Sequence, residues 1–346
     1  MTAKPVRIGI AGCGKIATSS QIPGFLKSPN ARITALFDTD ASRAEALRAS
    51  KVPEARIFND FEALIRSGEV DAVTLCTPNF LHHPMTLAAL GAGLHVLCEK
   101  PMAATLREAD EMVAASKRAG RVLQINQSCR YAPVYRRLAD LVAQGEIGTV
   151  HHIRCMRSGG SSPDVGWSPG ATWFVSKQAQ GGVLLDIGIH MADIMRHIVG
   201  EVDRVSAIVD TRRPEIDVPD NVTALFRFQN GATGVLELSW TFPAGAGLLE
   251  IYGSAGTLRT GFAAAGIEVI KPGVPKPETR IDTPVDDGFS SYASFVAAIR
   301  GEAPSPTPGE YGRRALALCE AIALSSESRG FVAVDHAARA QAPRPA

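Results

Sequence analysis

The sequence lacks the features of a membrane-spanning or exported protein. It has no window of about 18 consecutive apolar residues, so we expect no transmembrane span. Its first residues, MTAKPVRIGIAGCG, lead directly into an apolar segment, without the basic start and long apolar region of a signal peptide. We therefore expect neither membrane insertion nor export.

Cysteine is scarce and irregularly spaced. The six cysteines form no CxxC pair and no spacing typical of a zinc site, and Cys76 and Cys98 lie within apolar runs. This pattern excludes a disulfide-dense extracellular scaffold and favours reduced, packed thiols. We predict a cytoplasmic protein.

An excess of charge of either sign is also absent. The net charge is +1 and the basic residues are dispersed along the chain, which excludes the electrostatic pattern of a protein that binds nucleic acid or an anionic membrane. With 346 residues, 45% hydrophobic and 21% charged, the chain is long and apolar enough for about two globular domains. We expect a small molecule as its main partner.

The order of strand and helix patterns divides the chain in two. Roughly the first 125 residues alternate short apolar strands with helices, which is typical of a parallel sheet covered on both faces. The later strands include two joined by Asn230-Gly231, a strong hairpin signal. We predict an α/β fold with a Rossmann doubly wound parallel sheet (1–127), a C-terminal α/β domain with an open, mainly antiparallel sheet (128–335) and a tail (336–346).

The run GGVLLDIGIHMADIMRH, residues 181–197, places polar side chains in an apolar segment. If the run is a helix, then Asp186, His190, Asp193 and His197 form one stripe about 60° wide. Such a polar stripe is typical either of a binding site or of a mostly buried helix whose polar groups pair internally. We expect Asp193 to be a supporting residue, for instance paired with an arginine, and His197 to be structural.

The segment GIAGCGKIATS has the spacing of a dinucleotide-binding loop. Gly12 permits a tight turn after the first strand, Gly14 leaves room for a pyrophosphate, and the small Ala17 lets helix and strand pack closely. The free N–H groups at the start of the helix, near Lys15 and Ile16, favour an anion. We predict that this loop binds the phosphates of a dinucleotide.

An acidic residue occupies the position that contacts the adenosine ribose in dinucleotide-binding folds. Asp38 ends the second strand, 24 residues after Gly14, and there it accepts hydrogen bonds from ribose hydroxyls. Its charge disfavours a 2′-phosphate and predicts NAD as the cofactor, although the nearby Arg43 leaves NADP open. The alternative for Asp38 is a helix N-cap, for which Asp40 is an equal or better candidate.

Polar residues followed by proline end two further strands of the predicted parallel sheet. One strand leads into CTPN (76–79) and the other into EKP (99–101). Ligands of open parallel sheets lie beyond the carboxyl ends of the strands. Lys100 beside a bound NAD can donate a hydrogen bond to a substrate hydroxyl and stabilise the alkoxide. The alternative for EKP is an ordinary solvated turn.

Together these motifs resemble those of the Gfo/Idh/MocA oxidoreductases. The resemblance rests on GxGxxA near the N-terminus, TPNFLH (77–82), GLHVLCEKP (93–101) and GGVLLDIGIH (181–190), in this order and spacing. It implies an N-terminal Rossmann domain and a C-terminal domain whose open sheet forms homodimer or homotetramer contacts. It also implies catalytic roles for Lys100, Asp186 and His190. For the cofactor it implies contacts near the nicotinamide from Thr77, Pro78, Asn79, His82 and Glu99.

The expected reaction is oxidation of a secondary alcohol of a sugar, cyclitol or related polyol, or the reverse reduction. His190 serves as general base, because imidazole titrates near neutral pH, and Asp186 orients it or binds a neighbouring hydroxyl. Lys100 polarises the reacting oxygen, and whether lysine or histidine is the base stays open. Additional substrate contacts are predicted for Gln127, Arg130 and Trp173.

The same motifs are compatible with two other functions. An NAD-dependent glycoside hydrolase that uses transient oxidation and a cofactor-binding regulator without turnover remain alternatives. The adjacent pairs His82-His83 and His151-His152 point apart on a helix or strand, so neither chelates one ion naturally. We predict no catalytic metal.

Overall fold

The computed structural model describes residues 4–261, 266–274, 278–281 and 290–337. These residues form two compact units. Unit 1 comprises residues 4–127 and 290–313, and unit 2 comprises the described residues between 128 and 281 together with 314–337. Within the described part of the chain, no helix combines the length and apolar character needed to cross a bilayer.

Unit 1 is built on a six-stranded parallel sheet. Its strand order is β3-β2-β1-β4-β5-β6, and every neighbouring pair is parallel. The strands are β1 Val6–Ala11, β2 Ala31–Phe37, β3 Arg56–Phe58, β4 Ala72–Leu75, β5 His95–Glu99 and β6 Leu123–Asn126. The helices are α1 Ile22–Lys27, α2 Ala41–Lys51, α3 Phe61–Arg66, α4 Asn79–Gly91 and α5 Leu106–Ala119. The predicted doubly wound Rossmann sheet is confirmed.

The strand order reverses between β1 and β4, where ligands bind in sheets of this kind. Packing on the sheet is apolar: Ile8 and Ile10 of β1 and Leu36 of β2 are fully buried, and Phe25 of α1 packs into the same cluster. Full burial on both faces explains why these strands are continuous apolar runs without polar alternation.

Helix starts in unit 1 follow local sequence signals. The side chain of Asp60 accepts a hydrogen bond from the backbone of α3, and Thr105 forms a capping box with Glu108 at the start of α5. Gly120 ends α5 in the left-handed conformation, with φ of 60°. These caps explain where α3 and α5 begin and where α5 ends.

Unit 2 is built on a nine-stranded mixed sheet. Its order is β14-β13-β12-β11-β7-β10-β9-β8-β15; the β7–β10 pair is parallel and the other pairs are antiparallel. The strands are β7 Val150–Ser158, β8 Val202–Asp210, β9 Asn221–Phe228, β10 Thr233–Ser239, β11 Gly247–Gly253, β12 Gly256–Thr260, β13 Gly266–Ile270, β14 Glu278–Ile281 and β15 Val332–Ala333. The helices of this region are α6 Pro133–Ala143 and α7 Ile189–Val199. The predicted mainly antiparallel sheet and the Asn230-Gly231 hairpin between β9 and β10 are confirmed.

One face of the unit 2 sheet is covered and the other is open. In β9 the residues alternate strictly, with Phe226 buried on one face and Leu225 half-exposed on the other. The exposed side chain of Ile208 in β8 is on this second face, since Ile208 pairs with Thr223 two residues from Leu225. We call this surface the open face.

The C-terminal helices correct the predicted domain division. α8 Ser291–Ile299 and the start of α9 Gly309–Ser328 belong to unit 1, whereas we predicted the whole of 128–335 as one domain. The reason is a set of long-range contacts: Gln124 donates to the Ser291 carbonyl at 2.7 Å, and Tyr292 packs edge-on against Phe25. The boundary after residue 127 coincides with the prediction, and residues 338–346 of the predicted tail lie outside the described residues.

Candidate active site

The glycine-rich loop after β1 has the shape that a pyrophosphate needs. Gly12 has φ of 93°, and a Cβ there would lie 2.7 Å from the Cys76 carbonyl oxygen. At Gly14, by contrast, a Cβ would meet no atom within 4 Å, so the loop has open space at this position. Ala17 is fully buried and Lys15 is exposed. The residues present therefore fit a dinucleotide phosphate group.

The carboxylate of Asp38 is bound to this loop. It accepts hydrogen bonds from the Cys13 N–H at 2.7 Å and from the Asp40 N–H at 2.9 Å. The N-cap of α2 is Asp40, whose side chain accepts from the Ser42 N–H at 3.0 Å. The alternative that Asp38 is a helix cap is therefore wrong. Arg43 pairs with Asp40 at 3.4 Å.

His82 connects the turns that follow β4 and β5. Its Nδ1 lies 2.7 Å from the Pro101 carbonyl oxygen and its Nε2 lies 2.9 Å from the Thr77 carbonyl oxygen. Burial lowers the pKa of His82, which favours the neutral ring. These contacts join His82 to the turns that carry Asn79 and Lys100, and its contact with the cofactor stays a prediction.

Glu99 of the EKP segment lies in a buried polar cluster. Its Oε1 accepts from Gln21 Nε2 at 2.5 Å and from Asn126 Nδ2 at 2.6 Å. Burial raises the pKa of Glu99, while the two amides and the neighbouring Lys100 act in the opposite direction. Lys100 is half-buried and precedes a cis peptide bond to Pro101.

Several buried polar atoms near these strand ends have no hydrogen-bond partner among the described residues. They are Thr77 Oγ1, Asn126 Oδ1 and both amide atoms of Gln127. Gln127 is only 1% exposed. Buried polar groups are nearly always paired in native proteins, so these atoms are available to bind a polar ligand or ordered water.

In unit 2 the polar stripe does not begin as a regular α-helix. Residues Leu184–Gly188 form a π-type turn, and α7 begins only at Ile189. Our expectation of one helix over 181–197 was therefore wrong at its start. π-type turns change which side chains share a face and are frequent at functional sites. Asp186 and His190 are both half-buried in the structure.

The two glycines before this turn are needed for a close backbone approach. A Cβ at Gly181 would lie 2.1 Å from the Phe174 carbonyl oxygen, and Gly182 has φ of 106°. The Gly182 N–H donates to the same Phe174 oxygen at 2.8 Å. The pair therefore fixes the Trp173-Phe174 segment next to the turn that carries Asp186. The Trp173 ring stacks on the Phe174 ring with centroids 3.6 Å apart.

The second half of the stripe is internally paired, as expected. Asp193, 1% exposed, accepts from Arg130 Nε at 2.5 Å and from its terminal nitrogen at 2.9 Å, and Arg196 lies 3.5 Å away. A further Arg130 nitrogen lies 3.2 Å from His197 Nδ1. Desolvation and the Arg130 cation lower the pKa of His197. The expected substrate contact of Arg130 competes with this buried ion pair.

Sequence reasoning missed Gln21, Thr74 and Tyr292. Gln21 and Thr74 are fully buried, and the Tyr292 hydroxyl lies 2.6 Å from Ser20 Oγ. No motif marks Gln21, and Tyr292 is far away in the chain. Among the described residues, no group of three or more His, Cys, Asp or Glu side chains is arranged to hold a metal ion.

Two family models match the chain. The model described as "Oxidoreductase family, NAD-binding Rossmann fold" matches residues 6–127, and the "GFO/IDH/MocA C-terminal domain" matches residues 135–259. The chain belongs to the Gfo/Idh/MocA family of oxidoreductases. As a Gfo/Idh/MocA protein it is an NAD(P)-dependent oxidoreductase, and its first unit includes an NAD-binding Rossmann fold.

Similar Gfo/Idh/MocA proteins match over nearly their full length. The 1,5-anhydro-D-fructose reductase of Ensifer adhaerens is 31% identical over 318 residues, which are 90% of this chain and 93% of the relative. The myo-inositol 2-dehydrogenase of Thermotoga maritima is 26% identical over 341 residues, 95% of this chain and 99% of the relative. The crystal structure of the WlbA dehydrogenase from Bordetella pertussis, in complex with NADH and UDP-GlcNAcA, has a TM-score of 0.83 and 25% identity, and the match covers 96% of this chain and 99% of that one.

Proposed function

We propose that this protein transfers hydride between a secondary alcohol of a sugar, cyclitol or related polyol and the nicotinamide of NAD. The observation that carries the proposal is the division of the polar stripe. Asp193 is committed to a buried ion pair, and Asp186 and His190 are half-buried and four residues apart in the chain. The substrates named for the Ensifer and Thermotoga relatives, an anhydro sugar and a cyclitol, support this substrate class.

Each catalytic group has a separate task. The Lys100 ammonium donates a hydrogen bond to the reacting oxygen and stabilises the alkoxide that forms during oxidation. The His190 imidazole accepts the hydroxyl proton, and Asp186 orients the imidazole or binds a neighbouring hydroxyl. A bound nicotinamide supplies the hydride acceptor for oxidation and the hydride donor for reduction.

We propose that the cofactor contacts lie at the strand ends of unit 1. Gly12, Gly14 and the N–H groups near Lys15 and Ile16 would hold the pyrophosphate. Asp38 would accept from the adenosine ribose, and its charge favours NAD over NADP. The remaining predicted contacts near the nicotinamide are Thr77, Pro78, Asn79, His82, Glu99 and Lys100.

Substrate contacts are proposed for three residues outside the catalytic group. The buried, unpartnered amide of Gln127 supports its assignment most strongly, since a hydroxylated ligand offers both donors and acceptors. Trp173 offers an apolar ring for one face of a sugar. For Arg130 we keep the predicted contact, although Asp193 already binds its guanidinium.

Turnover by two variants and a substrate panel tests the proposal. Cyclitols, free sugars and glycosides are assayed with NAD and NADP by the absorbance of the reduced cofactor. Lys100→Met and His190→Gln should each lower turnover at least about 100-fold while NADH still binds. His83→Gln, whose ring pairs with Glu111 at 2.9 Å, is the matched control.

The outcomes separate the alternatives. Unchanged turnover in both variants contradicts the catalytic assignment. Cleavage of glycosides without net NADH formation indicates the hydrolase, and NADH binding with no reaction of any kind indicates the regulator.

We also propose self-association through the open face of unit 2. Ile208 and Leu225 are large apolar side chains, 65% and 52% exposed, on neighbouring strands of this face. Burying them in a homodimer or homotetramer removes apolar area from water. Light scattering tests this, because Leu225→Arg should lower the measured mass if the face is the interface.

A reducing, cytoplasmic location remains part of the proposal. All six cysteines carry free thiols, and four of them are buried, namely Cys13, Cys98, Cys155 and Cys319. Burial raises the pKa of each of these four thiols, which keeps them protonated and unreactive at neutral pH. They are packing residues that need no oxidising compartment.

A further inference from the structure

Gln21 is a fully buried glutamine in a place where a polar side chain is costly. It ends the π-type segment Ala17–Gln21, which lies between the glycine-rich loop and α1, and it is 0% exposed. Burial of an amide is tolerated when its donors and acceptor are hydrogen-bonded. Its Nε2 donates to Glu99 Oε1 at 2.5 Å, and its Oε1 accepts from Thr74 Oγ1 at 2.9 Å.

The Gln21 amide is hydrogen-bonded at both of its ends. Thr74 lies in β4, the strand next to β1, and is also 0% exposed. Its O–H donates to Oε1 of Gln21, and the NH2 group of Gln21 faces Glu99. The relay from Thr74 through Gln21 therefore delivers an N–H donor, and not a carbonyl, to the carboxylate.

Glu99 Oε1 has both of its acceptor directions occupied. Gln21 supplies one N–H and Asn126 supplies the second, at 2.6 Å. A proton bound to this carboxyl must then lie on Oε2, and an ionised Glu99 offers Oε2 as its remaining acceptor. Gln21, in the segment before α1, and Asn126, at the end of β6, therefore both donate to the same oxygen of Glu99.

The other titratable groups that face Glu99 are Lys100, Tyr292, Cys76 and Cys98. Burial raises the pKa of the tyrosine and of both thiols, so these three are neutral around pH 7. Among the described residues facing Glu99, Lys100 is then the charged neighbour. Changes in the Glu99 titration therefore report on its hydrogen bonds and on Lys100.

We propose that Gln21 is a positioning residue that orients Glu99 and keeps it ionised, and thereby acts on dinucleotide binding. The inference rests on the proposed contact of Glu99 near the nicotinamide, and it requires no particular substrate. Gln21 acts through the carboxylate to which its amide donates. Its role differs from that of Gln124, a second buried glutamine in the same sheet.

Gln124 supplies the matched control. It is also 0% exposed and lies in β6; its amide donates to the Ser291 carbonyl at 2.7 Å and accepts from Ser305 Oγ at 2.8 Å. It makes no hydrogen bond to Glu99 among the contacts of the described chain. Gln124→Met should therefore lower stability, as Gln21→Met should, without changing Glu99.

The test compares Gln21→Met, Gln124→Met and the unsubstituted full-length protein. The Glu99 carboxyl is titrated by 13C NMR across the pH range in which the protein stays folded, with Glu99→Gln to assign its signal, and NADH affinity is measured by fluorescence over the same range. In Gln21→Met the carboxylate loses one hydrogen-bond donor, so the pH midpoint of the Glu99 titration should rise by about one unit. NADH affinity should fall about tenfold at the acidic end and stay unchanged at the alkaline end.

Coincident titration and NADH curves for Gln21→Met and Gln124→Met overturn the proposal. If Gln21→Met does not fold, Gln21→Glu replaces it at nearly constant volume. The introduced carboxyl shares a proton with Glu99, so the pH midpoint of the titration of the pair should rise further. A midpoint equal to that of the unsubstituted protein overturns the proposal. If the proposed function is wrong, the unsubstituted protein will not turn over any polyol, which is a different result from either of these.

Discussion

Removal of one partner from the buried ion pair between Arg130 and Asp193 is expected to destabilise unit 2 strongly. Their side chains are 7% and 1% exposed, and both oxygens of Asp193 bind the guanidinium. In Asp193→Asn one oxygen becomes an NH2 group that faces an N–H donor of Arg130. Removing one partner of a buried pair costs about 3 to 5 kcal/mol, because a charge is left uncompensated in a medium of low polarity.

The structure offers a specific probe for this change. All three tryptophans, Trp167, Trp173 and Trp240, lie in unit 2, so tryptophan fluorescence follows the unfolding of that unit. With a urea m-value of about 2.5 kcal/mol/M, the predicted loss lowers the unfolding midpoint by about 1 to 2 M.

Two further variants make the reasoning refutable. Asp203→Asn breaks an exposed pair with Arg204 and should cost less than about 1 kcal/mol. Arg130→Met combined with Asp193→Leu should recover much of the loss, since apolar replacement of a buried pair is often neutral. A midpoint for Asp193→Asn equal to that of Asp203→Asn would refute the reasoning.

Three other variants have defined outcomes. Gly181→Ala forces a Cβ to within 2.1 Å of the Phe174 oxygen, so it should raise the KM for substrate and lower the melting temperature of unit 2; unchanged steady-state kinetics would contradict this. Asp38→Asn removes the charge that disfavours a 2′-phosphate and should reduce the NAD over NADP preference in kcat/KM about tenfold or more. His95 has a pKa lowered to about 4 by burial and by Arg121. The free energy of unfolding that depends on neutral His95 is fully present above the unfolded pKa and is lost as the pH falls toward 4. We expect a loss of about 1 to 2 kcal/mol between pH 7.5 and 5. His95→Asn should remove that part of the pH dependence in urea titrations followed by circular dichroism.

Local patterns were sufficient for much of the fold. Helix caps such as Thr105 and Asp60 and the continuous apolar strands depend on neighbouring residues, so their positions were predictable within a few residues. The domain division was less predictable, because the placement of α8 in unit 1 depends on contacts such as Gln124 to Ser291, far apart in the chain.

The candidate site was predictable where a motif carries its own chemistry. The glycine-rich loop, EKP and the Asp186 and His190 pair are short patterns, and family resemblance strengthened each of them. The π-type turn before α7 was not predictable, because a regular pitch of 3.6 residues fits the same letters. The contacts of the His82 ring with the Pro101 and Thr77 carbonyl oxygens likewise needed the folded turns.

The sequence by itself determined the two-part α/β architecture, the dinucleotide loop and the residue types available for hydride-transfer chemistry. These follow from periodicity and from spacings of a few residues, which short-range geometry controls. Only the tertiary structure decided that Asp193 is bound to Arg130, that Asp40 and not Asp38 caps α2, and that Gln21 donates a hydrogen bond to Glu99. The Arg130 and Gln21 contacts join residues distant in the chain, and the choice of cap depended on a bond from Asp38 to the glycine-rich loop, so burial and side-chain hydrogen bonds, rather than local pattern, determine these roles.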